Sequence, residues 1–254
     1  PINVTFNGNL REYQKEVITK TQENFQNKEL MGGVWSLSTG FGKTGCALYM
    51  ISLMKVKTII IVHKQVLLDQ WIERIEQFLP NAKIGLIQGP IIDTEDKDII
   101  LAMIQTLSRK DHPKETFKDI SFLIVDECHM ICSKTFNSVL FKIQTKYRLG
   151  LSATPERKDG FDKVLNFHLG PIIISKHNNL YKPEIEVYKT PSTDVSIELN
   201  RFGKVNSPKL ITDIALDKDR NEFIISILLE KVKEDRKILV FSDRVAQCEY
   251  LNES

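Results

Sequence analysis

Two short strings carry the residue types that phosphate chemistry needs. In Ser38-Thr39-Gly40-Phe41-Gly42-Lys43-Thr44, two glycines let the backbone curl so that successive N–H groups converge on phosphate oxygens. Lys43 would bring a cation to the β- and γ-phosphates, and Thr44 would offer its hydroxyl to Mg2+. The second string, Phe122-Leu123-Ile124-Val125-Asp126-Glu127-Cys128-His129, ends an apolar run in two acids. Asp126 suits the holding of a metal's water shell, and Glu127 the polarising of an attacking water. Lys43, Asp126 and Glu127 are therefore the candidate catalytic groups, with Thr44 and Asp126 as the candidate Mg2+ ligands and a nucleotide as the implied ligand. Each string alone also has a plainer reading: a Gly-rich turn with a lysine in solvent, and a pair of acids capping a strand. The loop also departs from the general G-x-x-x-x-G-K-[ST] pattern, because Leu37 stands at the first glycine position. Without a ligand, Lys43 is expected to face solvent.

For the two strings to meet, the first must follow a strand and open a helix, and the second must end a nearby strand. Apolar, β-branched runs at 33–38, 58–63, 84–87, 98–102, 122–125 and 148–152 read as strands. Residues 44–54 and 65–78 carry apolar positions at three- and four-residue spacing, as amphipathic helices do. The alternation predicts an α/β fold, with a parallel sheet covered by helices on both faces. No internal repeat stands out. From 176 to 207 the pattern loosens into Asn, Lys, Pro and Ser around one strand-like segment at 184–189, the natural place for a boundary. A helix over 221–233 leads into 237–242, where Ile238-Leu239-Val240-Phe241 reads as a buried strand opening a second α/β unit.

The 254-residue chain sets 35 Lys+Arg against 33 Asp+Glu, a formal charge of +2. That balance excludes a polybasic tail protein but not a nucleic-acid binder, since a local basic strip suffices. At 42% hydrophobic with 12 Gly and 9 Pro the composition is that of an ordinary globular chain. The longest apolar runs are too short to cross a bilayer and no charged-then-apolar leader opens the chain, so a soluble, intracellular protein without a membrane partner is expected. The four cysteines, Cys46, Cys128, Cys132 and Cys248, lack paired spacing, which suits a reducing compartment. Cys128-x-x-x-Cys132 beside His129 has no second ligand pair of the structural-zinc kind, and four scattered cysteines do not suit an iron–sulfur cluster. The start at Pro1 and the stop just after a strand pattern suggest a piece of a longer protein. The Ile, Asn and Lys bias suggests an AT-rich coding genome, as some viruses have.

Asp126-Glu127-Cys128-His129 resembles motif II of the superfamily 2 helicases, and the surrounding strings follow that family's order. Leu10-Arg11-Glu12-Tyr13-Gln14 is similar to its adenine-reading segment, with Gln14 on the base and Arg11 beside it; otherwise it is a helix start. The string from Ile59 to Trp71 is similar to motif Ia, with His63-Lys64 where the family has Pro-Thr or Pro-Ser. A core-facing helix would give the same Leu and Trp spacing with no ligand. Gln88-Gly89 and Ile104-Gln105-Thr106-Leu107 sit where the family lays a nucleic-acid backbone. Ser152-Ala153-Thr154 resembles motif III, and otherwise reads as a capped turn before Pro155. The string from Tyr147 to Gly160, with Leu169-Gly170-Pro171 after it, looks most like the XPB branch and its viral and phage relatives, among them the poxvirus transcript-release helicase. That branch has Arg-Glu-Asp where this chain has Arg157-Lys158-Asp159. Asp219-Arg220-Asn221 and Leu239-Val240-Phe241-Ser242-Asp243-Arg244 extend the likeness to motif IV.

The resemblance implies a RecA-like first domain over 1–190, a linker and helix over 191–236, and the start of a second RecA-like domain over 237–254. It implies an ATP hydrolase with Mg2+, acting as a helicase or translocase on nucleic acid in repair, replication or transcription. DNA is the expected track, with RNA, or movement along duplex without strand separation, as the alternative. Partner subunits, and a nuclear or cytoplasmic location, or a virion or viral factory if the protein is viral, go with such work. In these terms Arg11, Gln14 and Ser38, Thr39, Gly40, Phe41, Gly42, Lys43 and Thr44 bind nucleotide. His129, Ser152, Ala153 and Thr154 couple the two sites, and His63, Lys64, Gly89, Gln105 and Thr106 contact nucleic acid. Those contacts go to the backbone and read little sequence. A scaffold that had lost its chemistry would be expected to have damaged Lys43, Thr44, Asp126 or Glu127, and all four are intact; a non-hydrolysing regulatory module is the remaining alternative. Motifs V and VI, whose arginines reach the γ-phosphate, do not occur before Ser254. Such an arginine is worth roughly 10³ to 10⁵ in rate, so slow hydrolysis is expected of the chain as given.

Overall fold

The computed structural model describes residues 1–27, 31–110, 112–132, 134–154, 162–177, 184–190, 196–233 and 237–253. The chain divides into two compact units, Pro1–Tyr181 and Lys182–Ser254. In the first, the elements run α1 (Glu12–Gln26), β1 (Gly32–Leu37), α2 (Lys43–Met54), β2 (Thr58–Val62), α3 (Gln65–Phe78), β3 (Ile84–Gln88), β4 (Ile91–Asp93), β5 (Ile99–Met103), α4 (Ile104–Arg109), β6 (Phe122–Asp126), α5 (Lys134–Lys142), β7 (Tyr147–Ser152), α6 (Asp162–Leu169) and β8 (Ile172–Lys176).

The eight strands form one sheet in the order β4-β3-β5-β2-β6-β7-β1-β8. Every pairing is parallel except β3 with β4. Strands β1 and β2 are buried along their whole lengths, as expected where helices cover both faces. Because successive side chains alternate in direction, each strand feeds two cores. Trp35, Leu37, Ile60, Val62, Leu101 and Ile124 pack with α1, α2 and α3. Val34, Ile59, Ile61, Ile100, Leu123 and Val125 pack with α4, α5 and α6 on the other face. The one polar group of the buried Trp35 is satisfied, its indole N–H donating to Thr21 Oγ1 at 2.8 Å and tying α1 to β1.

The six strands read from the sequence are all present, and two more flank them. Strand β4 is short, antiparallel and exposed, so no run of buried apolar residues marks it. Strand β8 is the apolar run after Gly170-Pro171 and pairs with the open side of β1. Two expected strands are absent. Residues 184–189 form no strand, and Ile185 and Val187 are exposed. The segment 237–242 is not a buried strand either: Leu239 is 76% and Phe241 86% exposed. A buried strand needs a neighbour for its backbone groups, and the described residues of the second unit form three helices, α7 (Ser207–Leu216), α8 (Lys218–Val232) and α9 (Val245–Glu253), with only an isolated bridge, Leu199 to Val205. Among the described residues no helix is long and apolar enough to cross a membrane.

Candidate active site

The C-terminal ends of the parallel strands gather the chemistry-bearing residues, as the crevice of an open α/β sheet does. Between β1 and α2 the chain turns through Gly40 at φ 81° and Gly42 at φ 90°. Gly42 is the N-cap of α2 and supplies no side-chain hydrogen bond, so the first N–H groups of that helix are left for an anion. The dihedral favours glycine there, and a Cβ at Gly42 would lie 2.5 Å from Gln14 Nε2, so a larger residue would also have to push that amide aside. Gln14 is buried; its Nε2 donates to the Phe41 carbonyl at 2.9 Å, while its Oε1 accepts from the Arg11 N–H at 2.9 Å. Arg11 in turn donates to the Tyr13 hydroxyl at 2.8 Å, and the Tyr13 ring meets Phe41 edge-on at 4.9 Å. The start of α1 thus braces the loop.

Lys43 does not face solvent, as its sequence context had suggested. Its ammonium donates to the Leu37 carbonyl at 2.9 Å and approaches that of Ser38 at 3.4 Å, folded back over its own loop. Carbonyls at the end of β1 still have acceptor capacity there, and a partly buried ammonium takes the nearest acceptor. Thr44 follows on the first turn of α2 and, like Asp126 and Glu127, lines the same cleft of about 580 Å3.

Asp126 ends β6. Its Oδ2 accepts from the Trp71 indole N–H at 2.9 Å and its Oδ1 from the Glu127 backbone N–H at 3.0 Å. Glu127 sits at φ 47°, a left-handed conformation that costs a residue with a Cβ about 1–3 kcal/mol and is concentrated at functional sites. Its carboxylate lies 3.4 Å from His129 Nδ1, which also lies 3.3 Å from Ser152 Oγ. Ser152 Oγ accepts from the Thr154 N–H at 3.1 Å, so His129, Ser152 and Thr154 join β6 to the end of β7. Ala153 is part-exposed between them. The residues 155–160, including Lys158, lie outside the described residues.

A hydroxyl at Thr44 and a carboxylate at Asp126 are a donor set that fits Mg2+, which takes oxygen ligands and keeps several waters. Among the described residues no cluster of three or more His, Cys, Asp or Glu side chains could hold a metal alone. A cation here would therefore depend on phosphate oxygens as well.

A second group lies at the ends of β2, β3 and β5. Gln105 Nε2 donates to the His63 carbonyl at 2.8 Å, Gln88 to Gln65, and Lys110 to the Gly89 carbonyl at 2.7 Å. Thr106 is itself buried and acts through Gly89, whose N–H it accepts at 2.9 Å. Lys64 is exposed as the N-cap of α3. His63 Nδ1 and Gln105 Oε1 are buried without partners, an open hydrogen-bonding capacity in this group. Burial, then the nearby Lys64 and His129, holds His63 below the ordinary histidine range, against a smaller pull from Asp126 and Glu127.

Sequence reading missed one flank of the cleft. Leu67, Gln70 and Arg74 line it from α3, a stripe at three- and four-residue spacing that was legible as a helix face but not as facing the cleft. The Trp71 contact to Asp126 had no signal, because Trp71 reads as core.

A family profile described as the type III restriction enzyme res subunit matches residues 7–157. A mimivirus protein (Acanthamoeba polyphaga mimivirus) with the provisional name ATP-dependent RNA helicase L396 is 34% identical over 99% of this chain and 49% of its own length. A protein of Invertebrate iridescent virus 6, provisionally named helicase 161L, is 29% identical over 98% of this chain and 56% of its own. The chain thus spans about half the length of these curated relatives. Among solved structures, the Sulfolobus solfataricus SWI2/SNF2 ATPase core in complex with dsDNA superposes with a TM-score of 0.54 at 23% identity, over 67% of this chain and 37% of that one. The UvsW helicase from bacteriophage T4 gives 0.51 at 21%, over 67% and 63%. At such identities the superpositions speak for the RecA-like fold.

Proposed function

Because the chain belongs to the family of the type III restriction enzyme res subunit, we propose that it is the ATP-binding portion of a superfamily 2 helicase or translocase. The observation that carries this reading is the convergence on one cleft of the phosphate loop, Gln14, and the Asp126–Glu127 pair. Gln14 and Arg11 meet the base, and the N–H groups of 40–45 and the Lys43 ammonium take the phosphates. For the last step, Lys43 exchanges the Leu37 carbonyl for phosphate oxygens. Asp126 and Thr44 would hold Mg2+, whose charge would offset that of the phosphates. Glu127 orients the attacking water and takes its proton. His129 and Ser152 carry the state of the cleft to Thr154.

Residues 1–190 form the first RecA-like domain in this reading, a view supported by the compact unit Pro1–Tyr181. Residues 191–236 are linker and helix, and 237–254 begin a second domain. Nucleic acid lies across His63, Lys64, Gly89 and Gln105, with Thr106 holding Gly89 in place. The XPB-like motifs favour DNA as the track. The name of the mimivirus relative favours RNA as the second reading.

The test is the ATP turnover of the full-length protein, alone and with single-stranded DNA, duplex DNA and RNA, with Glu127→Gln as control. Stimulation by one polymer, lost in the variant, establishes the motor and names its track. No turnover with any polymer would leave a nucleotide-binding regulatory module instead.

A further inference from the structure

A buried indole N–H needs an acceptor, and the two tryptophans of this chain solve that need differently. Trp35 donates to a threonine hydroxyl inside one core. Trp71, 2% exposed and packed in the same core, sends its N–H out to Oδ2 of Asp126, a carboxylate lining the nucleotide cleft. The other oxygen of Asp126 accepts from the backbone of Glu127. With one donor on each oxygen, both side-chain dihedrals of Asp126 are fixed before any ligand arrives. The Glu127 donor belongs to the turn that follows β6, whereas the Trp71 donor belongs to a different element whose position the core sets. Only the second can hold the carboxylate against movement of its own turn.

Resting on the reading of Asp126 as a Mg2+ ligand, we propose that Trp71 is a positioning residue of the metal site, keeping Asp126 oriented for the cation. Ligating carboxylates are themselves held by outer hydrogen bonds, and losing such a partner typically costs 10- to 100-fold in metal affinity. Asp126 keeps the Glu127 donor when the indole is lost, so the effect belongs at the low end, about tenfold.

Trp71→Phe removes the N–H and keeps an aromatic ring in the core. Binding of a fluorescent ADP analogue to residues 1–254 is titrated with Mg2+ for the parent, Trp71→Phe and Asp126→Asn, each also in EDTA. The Mg2+ concentration giving half-maximal binding should rise about tenfold in Trp71→Phe, with binding in EDTA unchanged; a general loss of structure would lower both. If Trp71→Phe matches the parent while Asp126→Asn is shifted, the positioning role is overturned and the reading of Asp126 stands. If Asp126→Asn is not shifted either, that reading fails and the proposal fails with it. A measurement on the unaltered core covers the case in which Trp71→Phe does not fold. Nitrogen-15 spectra show two indole N–H resonances, of which Asp126→Asn identifies that of Trp71 by moving it. Adding Mg2+ and ADP should move the Trp71 resonance and leave that of Trp35 in place. A Trp71 resonance indifferent to them overturns the proposal.

Discussion

Gln14 Nε2 donates to the Phe41 carbonyl at 2.9 Å, so the first helix holds the loop between β1 and α2. The same amide stands 2.5 Å from where a Gly42 Cβ would be. Gly42→Ala therefore faces two obstacles: a left-handed dihedral costing about 1–2 kcal/mol, and a collision with a hydrogen-bonded amide. It should lower the melting temperature and abolish nucleotide binding. Adding Gln14→Ala removes the collision and leaves the dihedral, so the double variant should recover part of the melting temperature but none of the nucleotide affinity. Thermal melts and nucleotide titrations on the three variants check this; equal melting temperatures for Gly42→Ala and the double variant would refute the collision.

Lys43 and Glu127 should separate binding from chemistry. Lys43→Ala removes the cation proposed to meet the phosphates, and nucleotide affinity should fall at least tenfold, an ammonium on an anion being worth roughly 1.5–3 kcal/mol. It also deprives the Leu37 carbonyl of its lysine partner, so a small loss of stability should accompany it. Glu127→Gln keeps the size of the side chain and loses the proposed base. Turnover should drop by about 10² to 10⁴ with nucleotide affinity retained. Equilibrium binding beside single-turnover hydrolysis resolves the two, and a Lys43→Ala protein with parental affinity would dismiss the phosphate-site assignment.

The pH dependence of stability has a definite sign at His168. It is 4% exposed, and burial first, then the charge of Arg148, holds it below its ordinary value of 6.5. Below that value the unfolded chain takes up protons that the folded protein refuses. Stability is thus at its plateau above the ordinary value and falls as the pH drops through it, until the depressed folded value is reached. The melting temperature should therefore fall between about pH 7.5 and about pH 5. His168→Gln should flatten part of that fall. An unchanged slope in the variant would place the proton uptake elsewhere.

What was legible in the sequence was whatever local pattern determines. The strands feeding the cleft are buried on both faces, so each appears as an apolar run, and Gly42 and the Asp126–Glu127 pair stand at the ends of such runs. What was not legible depends on partners distant in sequence. Strand β4 is exposed and exists by pairing with β3. The run at 237–242 has the composition of a buried strand and finds no ladder among the described residues. Lys43 was expected in solvent because no local rule says that it folds onto Leu37. Trp71 reads as core and is core; only its N–H reaches Asp126 in the cleft, and periodicity says nothing of where one polar atom points.

The face formed by His63, Lys64, Gly89 and Gln105 should bind nucleic acid through charge and hydrogen bonding rather than base readout. Lys64 is exposed at the N-cap of α3, and Lys110 holds the Gly89 carbonyl beside it in the same group. If Lys64 neutralises one phosphate, Lys64→Ala should weaken binding similarly for all sequences of a given polymer. It should also reduce the slope of log affinity against log salt by about 0.7 for single strands or about 0.9 for duplex DNA. Gln105→Ala removes no charge, so it should weaken binding at every salt concentration and leave the slope alone. Fluorescence anisotropy with a labelled oligonucleotide across a salt series measures both. A parental slope in Lys64→Ala would move the polymer off this face, whatever the loss of affinity.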